Sequence, residues 1–287
     1  MNSGVTPEWV APGAGRPHRP ALATPLDIDN NQQIQPPAIV VFDLSTNRQL
    51  FRYEFKDSDL PAENTPTGLA SITVDVPDDR CGDAYAYVPD LTTFGLIVYS
   101  LRENDSWRLT HNYFSFNPTA GGLRVGDQRF QWSDGIFSIT LSDANGQNCR
   151  TAYFHPLIST QEFAVSTCDL KNRNLVNDSS AWERFAMCLQ LVGERGADTQ
   201  STMHGYHPRS RVMFYAEVGR NAVSCWHTGR PLAPADVAVL AQDNQRLLYP
   251  SGECATGGGR TCRCAINRVP LTAHWVAGPP KKKNGHN

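Results

Sequence analysis

Short runs of alternating or β-branched apolar residues, separated by polar and proline-containing turns, recur along most of the chain. The clearest runs are residues 135–141, 150–155 and 162–167. The segment between the first two contains Asn145-Gly146, a pair that favours a tight hairpin turn. β-branched and aromatic residues dominate these runs, which is typical of strands. The region therefore predicts most of one four-stranded antiparallel meander.

The same pattern repeats on both sides of this region. An incomplete unit comes first, with strands predicted at 38–44 and 49–55, and residues 247–249 are predicted to begin a further unit. Three fuller units lie between them, with strands at 70–76, 84–88, 94–101 and 106–111; at 135–141, 150–155, 162–167 and 187–192; and at 200–204, 211–217, 221–227 and 237–241. Four-stranded units repeating at about sixty-five residues predict an all-β protein of the β-propeller type.

Composition divides the chain into three parts. Residues 1–35 are rich in Gly, Pro and Ala and predict a disordered leader without the apolar centre of a secretory signal. Residues 36–251 carry the strand pattern, and residues 252–287 lack it and predict an irregular tail. The longest predicted loops are 112–128 and 171–185, and binding is expected on such loops.

Overall charge and composition exclude several classes of partner. Hydrophobic residues make up 40% and charged residues 19% of the 287 residues, which indicates a globular protein. The net charge of −2 favours neither nucleic acid nor an anionic membrane surface. No apolar run approaches the roughly 20 residues that cross a bilayer. Cys262 and Cys264 are too close for a usual zinc pair, so we expect no metal and no cofactor.

The eight cysteines suit an oxidising compartment. Cys168 and Cys188 flank neighbouring predicted strands, and Cys81 and Cys149 precede equivalent strands in adjacent units. Each pair is a candidate disulfide, although spacing does not determine connectivity. Sequons that fit N-glycosylation of a secreted protein begin at Asn104 and Asn177.

Nine segments, in order between about residue 29 and residue 251, resemble the major royal jelly protein/Yellow family. They are Gln35-Pro-Pro-Ala-Ile-Val-Val-Phe-Asp-Leu, Asp83-Ala-Tyr-Ala-Tyr-Val-Pro-Asp, Phe94-Gly-Leu-Ile-Val-Tyr, Ser106-Trp-Arg-Leu-Thr-His-Asn-Tyr-Phe, Phe130-Gln-Trp-Ser-Asp-Gly-Ile-Phe, Tyr153-Phe-His-Pro-Leu, Glu162-Phe-Ala-Val-Ser-Thr, Gly193-Glu-Arg-Gly and Asn221-Ala-Val-Ser-Cys-Trp. The resemblance implies a six-bladed propeller, secreted and often glycosylated, with a pocket on its central axis. Members are linked to cuticle pigmentation and melanin chemistry; some bind biogenic amines, some isomerise dopachrome, and others are nutritional or structural.

This chain departs from the family pattern at both ends. The family's signal peptide and first blades have no counterpart in the leader, and the resemblance ends near Ser251. We therefore expect a shortened version of the family's chain, with about three and a half blades.

Ligand-facing residues are predicted where the innermost strand of each unit begins, because a propeller opens on its axis there. An aromatic cation needs a carboxylate, acceptor groups and an aromatic wall. Asp134 would supply the carboxylate, although it could equally cap a turn, and Trp132 could be a wall or a wedge between blades. The remaining candidates could instead be ordinary strand hydroxyls or loop amides. The predicted ligand-binding set is Thr67, Phe114, Asp134, Gln200, Ser201, Thr202 and Asn221.

A dopachrome isomerase would need a proton-transfer group and a partner for the substrate carboxylate. His155, His111 and His204 are the candidates for proton transfer, and Arg150 and Arg195 for the carboxylate. A buried structural role for His155, and a turn with an internal ion pair for Arg195, are the alternatives.

The combined interpretation is an extracellular protein that binds a small aromatic amine or a catechol-derived compound in pigment or cuticle chemistry. A dopachrome isomerase is the second hypothesis. A structural or storage glycoprotein without ligand chemistry is the third.

Overall fold

The computed structural model describes residues 36–251, apart from 44–45, 63–64, 66 and 78–79, together with the backbone of short strands near both ends. The predicted leader and tail lie almost wholly outside the described residues. The strands are β1 (Glu8–Val10), β2 (Leu22–Ala23), β3 (Gln32–Gln33), β4 (Ala38–Phe42), β5 (Gln49–Glu54), β6 (Thr73–Asp75), β7 (Tyr85–Asp90), β8 (Gly95–Ser100), β9 (Asp105–Thr110), β10 (Gly122–Val125), β11 (Gln128–Gln131), β12 (Ile136–Leu141), β13 (Thr151–Pro156), β14 (Gln161–Ser166), β15 (Gln190–Glu194), β16 (Ser201–His207), β17 (Val212–Glu217), β18 (Ala222–His227), β19 (Ala238–Gln242), β20 (Cys254–Ala255) and β21 (Arg263–Cys264).

Most of these strands form four antiparallel sheets that follow one another along the chain. Sheet 1 has the order β1-β4-β5, sheet 2 β6 to β9, sheet 3 β12 to β15, and sheet 4 β16 to β19. Sheets 2, 3 and 4 are simple four-stranded meanders, as the sequence predicts. The first strand of sheet 3, β12, packs against the first strands of both neighbouring sheets. Meanders arranged in this way around their first strands are blades of a β-propeller, so the predicted fold class is confirmed.

The hydrophobic core lies between successive sheets. Sheets 2 and 3 enclose the largest cluster, which includes Trp107, Phe114, Phe154 and Phe163. Smaller clusters join sheet 1 to sheet 2 and sheet 3 to sheet 4. Sheet 3 is therefore covered on both faces, and the side chains of β12, β13 and β14 are all buried or half-buried, whereas β15 is partly exposed. This arrangement explains why polar residues on its strands come to lie in the protein interior.

The two longest predicted loops contain regular structure. Part of residues 112–128, together with the residues that follow, forms the hairpin β10–β11, and residues 171–185 contain most of helix α2 (Ser179–Cys188). Helix α2 begins because Asp178 accepts a hydrogen bond from the Ser180 amide, and it buries Ala181 and Phe185 on one face. Residues 247–249, predicted to start a further unit, lie instead in a bend.

A second, shorter helix, α1 (Thr167–Leu170), follows β14. Within the part of the chain that the structure describes, neither helix is long and apolar enough to cross a membrane.

The disulfide found among the described residues differs from both predicted pairings. The structure joins Cys149 to Cys168, with Cα atoms 5.4 Å apart, and leaves Cys81 and Cys188 as free thiols. Cys149 precedes β13 and Cys168 follows β14, and these two strands pair directly. Cys168 lies in helix α1 and Cys188 is the last residue of helix α2, so those two residues do not continue a common strand ladder.

Candidate functional site

The inner strands β6, β12 and β16 all begin at one edge of the propeller. The turns that follow β7, β13 and β17 lie at the same edge. We call this edge the hub face; its turns are residues 91–94, 157–160 and 218–221. Backbone hydrogen bonds join its parts: Gly135 donates to Leu91 over 2.8 Å, and Leu157 donates to Gly135 over 2.7 Å. The segment that contains β10 and β11 packs across the same edge through Trp132 and Phe130.

Asp134 places one carboxyl group at the hub face. It is half-buried two residues before β12 begins, and its own carbonyl accepts from the Ile158 amide. Loss of solvation raises the pKa of its carboxyl to about 6, partly offset by a hydrogen bond from Trp132. Tyr249 lies close enough for the Asp134 charge, together with burial, to raise the pKa of its phenol. The group therefore changes its charge just below neutral pH beside two aromatic side chains.

Gln200 and Asn221 lie at the same edge in sheet 4. The Gln200 amide nitrogen donates to the Ala120 carbonyl over 2.9 Å, and the Asn221 amide nitrogen donates to Asn244 over 3.2 Å. The side-chain oxygens of Gln200 and Asn221 are buried and accept no hydrogen bond from the described residues. Buried acceptors without donors are rare in native proteins, and each oxygen can still accept a hydrogen bond from an N–H or O–H group. Gln200 Oε1 lies against Gly219, so a group that reached it would have to displace this packing.

The other predicted ligand residues have structural contacts. Ser201 and Thr202 are fully buried, and their hydroxyls donate to the carbonyls of Met203 and Pro250. Thr67 is half-buried before β6. The Phe114 side chain lies in the core between sheets 2 and 3, edge-on to Phe154 with ring centroids 5.3 Å apart, although its backbone carbonyl lies close to Gly135. The structure thus groups Asp134, Gln200 and Asn221 at the hub face, whereas the Phe114 ring points into the core.

Two of the three candidate histidines meet in a buried cluster between sheets 3 and 4. The rings of His155 and His204 have centroids 4.6 Å apart, and the Glu162 carboxylate lies 2.8 Å from His155 Nδ1. Arg195 donates to the same carboxylate over 2.7 Å and to the Ser159 carbonyl over 2.9 Å. The side chains of these four residues are inaccessible to solvent. Arg195 pairs with Glu162 and not with a residue of its own turn, which corrects that expectation.

The cluster has the residue types of a metal site but already has other partners. His155, Glu162 and His204 offer ligand atoms within 4.8 Å of one another. However, both ring nitrogens of each histidine have protein partners, and the Arg195 guanidinium lies on the carboxylate. A divalent cation here would place two positive groups together in a dry space, at a large desolvation cost. The contacts therefore favour a hydrogen-bonded network.

The remaining candidates have local structural roles. His111 accepts from the Tyr113 amide over 3.1 Å, and burial lowers the pKa of its imidazole. Arg150 pairs with Asp75 over 2.9 Å and so ties sheet 3 to sheet 2. Glu162 was not among the predicted site residues. The sequence could have pointed to Glu162, because it begins the apolar run Glu162-Phe-Ala-Val. A carboxylate on a strand that is covered on both faces must be paired.

Comparisons with known proteins identify the relatives of this chain. A family described as major royal jelly protein matches residues 26–254. L-dopachrome tautomerase yellow-f of Drosophila melanogaster is 42% identical over 223 residues, which cover 78% of this chain and 50% of that protein. Dopaminechrome tautomerase of the same species is 35% identical, covering 76% and 46%. The chain thus spans about half the length of these relatives. Among solved structures, a Dos1 propeller is matched with a TM-score of 0.39 and 10% identity, covering 75% of this chain and 50% of that chain.

Proposed function

This chain belongs to the major royal jelly protein family, and we propose that its hub face binds a small catechol-derived compound and takes part in its tautomerisation. The observation that carries the proposal is Asp134, a half-buried carboxyl with a pKa of about 6 beside Trp132 and Tyr249. The names of two relatives, tautomerases of L-dopachrome and dopaminechrome, support this substrate class. Both names also support a role in pigment chemistry.

Tautomerisation of a dopachrome moves a proton from carbon to a quinonoid oxygen. The reaction needs a group that accepts and returns a proton near neutral pH, and a carboxyl with a pKa of about 6 is suited to this task. Trp132 would provide an apolar surface for the ring, and the unpaired oxygens of Gln200 and Asn221 would accept hydrogen bonds from hydroxyl or amine groups. Asp134 is thus the proposed proton-transfer group, in place of the three histidines.

Binding of an aromatic amine without turnover is the second candidate function. It is favoured by the two unpaired acceptor oxygens, since an ammonium group is a strong donor without acceptor capacity. Above its pKa, the Asp134 carboxylate would supply the opposite charge. The same hub face would serve both functions, and only turnover separates them.

The test of the main proposal is the loss of dopachrome absorbance beyond the rate in buffer. Asp134→Asn keeps the size of the side chain but removes its proton, and the catalysed rate should fall by roughly 10²–10⁴-fold. Ser133→Ala, an exposed neighbour, is the control and should keep the rate. Equal rates in Asp134→Asn and the unchanged protein would overturn the assignment.

Calorimetric titration with dopamine and serotonin tests the second candidate. Heat of binding without turnover would favour amine binding. If neither turnover nor heat is seen while the protein is folded, a structural or storage role is favoured.

We also propose that the protein is extracellular. Asn104 and Asn177, the acceptors of the two sequons, are exposed, and the Cys149–Cys168 disulfide fits an oxidising compartment. Treatment of the protein from secreting insect cells with a glycosidase should lower its apparent mass. An unchanged mass would contradict glycosylation, and retention inside the cells would contradict secretion.

A further inference from the structure

His155 has an acceptor at each of its ring nitrogens. Glu162 Oε2 lies 2.8 Å from Nδ1, and the Ser201 carbonyl lies 3.1 Å from Nε2. A neutral imidazole carries only one N–H, so it can satisfy one of these acceptors and leaves a lone pair facing the other. One additional proton, on either His155 or Glu162, removes this conflict.

The neighbouring histidine does not have the same problem. His204 Nε2 lies 3.0 Å from the Tyr153 carbonyl, and Nδ1 lies 2.8 Å from the Ser138 hydroxyl, which can donate. A neutral His204 with its proton on Nε2 therefore satisfies both contacts. Nε2 of His204 also lies 3.4 Å from Glu162 Oε1, which is buried and accepts no hydrogen bond from the described residues. The unmet hydrogen-bonding groups are therefore on Glu162 and His155.

We propose that His155 and Glu162 share one proton, and that this shared proton positions the start of β16 for ligand binding at the hub face. His155 lies on β13, Glu162 on β14, and the Ser201 carbonyl at the first residue of β16. The predicted ligand residue Gln200 is adjacent to Ser201. The positioning part of the proposal rests on the proposed function, whereas the shared proton does not.

The groups around the pair make the proton sensitive to pH near neutrality. Burial raises the pKa of Glu162 to about 7, although the charge of Arg195 opposes this shift. Burial and the Arg195 charge lower the pKa of His155, so the proton belongs mainly to the carboxyl and is donated to Nδ1. The titratable or charged groups that face the pair from the packed elements are Tyr153, Arg195, His204, Tyr215 and, behind Tyr215, Glu217.

Loss of the proton changes the hydrogen bond between His155 of sheet 3 and the Ser201 carbonyl of sheet 4. When pH rises through about 7, Glu162 becomes a full carboxylate. His155 can then donate to Glu162 or to Ser201 but not to both. We expect the hydrogen bond to Ser201 to weaken, because the charged carboxylate is the stronger acceptor. The start of β16 is then held less firmly, and ligand affinity falls.

Nuclear magnetic resonance of the full chain tests the shared proton directly. Histidine labelled with ¹⁵N should show a ring proton on His155 Nε2, donated to Ser201, at about pH 6, and this ring proton should be found on Nδ1, facing the Glu162 carboxylate, by about pH 8. Tyr215→Phe keeps the pair and should keep this change of tautomer, whereas Glu162→Gln should abolish it. A single His155 tautomer in the unchanged protein across this range would overturn the proposal, and so would persistence of the pH-dependent change in Glu162→Gln.

Calorimetric titration with dopamine, under exclusion of oxygen, tests the positioning role. The ratio of affinities between the unchanged protein and Glu162→Gln should fall several-fold between about pH 6 and about pH 8. Titration of Asp134 is common to both proteins and cancels from this ratio. A constant ratio would overturn the positioning role. If the unchanged protein binds no dopamine at any pH, the amine-binding function fails and with it the positioning role, while the resonance experiment still decides the shared proton.

Discussion

Cys149 and Cys168 face each other two residues beyond Thr151 and Ser166, the last pair of the ladder between β13 and β14. The intervening pair continues the same register, since the Thr167 amide donates to the Arg150 carbonyl over 2.8 Å. The disulfide therefore fastens the open end of a hairpin that is already in register. It also anchors helix α1, which contains Cys168.

Cys168→Ser should lower the free energy of unfolding by about 2–4 kcal/mol, because the unfolded chain loses a crosslink that closes a short loop. The disulfide spans a sequence separation of 19 residues. Cys225→Ser, which replaces a half-buried free thiol, is the control and should cost less. Denaturant titration measures both changes, and a peptide map that links Cys168 to Cys188 would contradict the pairing.

Gly193 is a point of close contact between sheet 3 and the segment before β19. A methyl group added there would lie 2.1 Å from the Leu232 carbonyl oxygen, which is backbone and cannot turn away. Gly193→Ala should therefore destabilise the fold by about 1–3 kcal/mol. Gly146→Ala is the control, because nothing lies within 4 Å of the added methyl. Equal melting temperatures for the two variants would show that the contact is absent.

Tyr215 and Tyr53 differ in what their buried hydroxyls contact. The Tyr215 hydroxyl has no hydrogen-bond partner among the described residues, whereas the Tyr53 hydroxyl lies 2.8 Å from the Ser106 hydroxyl. Tyr53→Phe should lower stability by about 1 kcal/mol, and Tyr215→Phe should leave it unchanged or raise it. Chemical denaturation of the two variants makes the comparison. A larger loss in Tyr215→Phe would reveal a partner for its hydroxyl.

Asp134 should make stability depend on pH. Its pKa of about 6 in the folded protein exceeds its ordinary value of 3.8, so the folded state binds the proton more tightly. The resulting stabilisation is complete below about pH 4 and is lost as pH rises through about 6. Asp134→Asn should therefore have a higher melting temperature than the unchanged protein at about pH 8. This difference should disappear as the pH is lowered towards about 4.

The control for this prediction is Asp127→Asn at an exposed turn, where burial imposes no cost on the charge. Its melting temperature should follow that of the unchanged protein across the range. A pH-independent difference between Asp134→Asn and the unchanged protein would contradict the raised pKa of Asp134.

The strands were predictable because the alternation of apolar and polar residues in a strand is visible within five or six residues. The run 94–101 predicts a strand, and the structure has β8 at Gly95–Ser100. Helix α2 was missed because its buried face shows only two residues, Ala181 and Phe185, and Trp182 and Met187 on the same helix are exposed. Two apolar positions are too few to reveal a helical period.

The sequence predicted individual residues of the candidate site but not the contacts between them. Sequence position at an inner strand placed Asp134 at the hub face, and the same reasoning placed Gln200 there. The contact between His155 and Glu162 was not predictable, because the two residues lie on neighbouring strands whose exact register sets their distance. A shift of one residue would point either side chain to the opposite face.

By itself, the order of apolar and polar residues determined the strands, their grouping into meanders and the family, because these depend on local periodicity and on short segments in sequence order. Tertiary packing alone decided which cysteines join, which arginine contacts Glu162, and which oxygens remain without donors. Those outcomes depend on distances of a few tenths of a nanometre between individual side chains, and such distances are set by how the surrounding side chains pack.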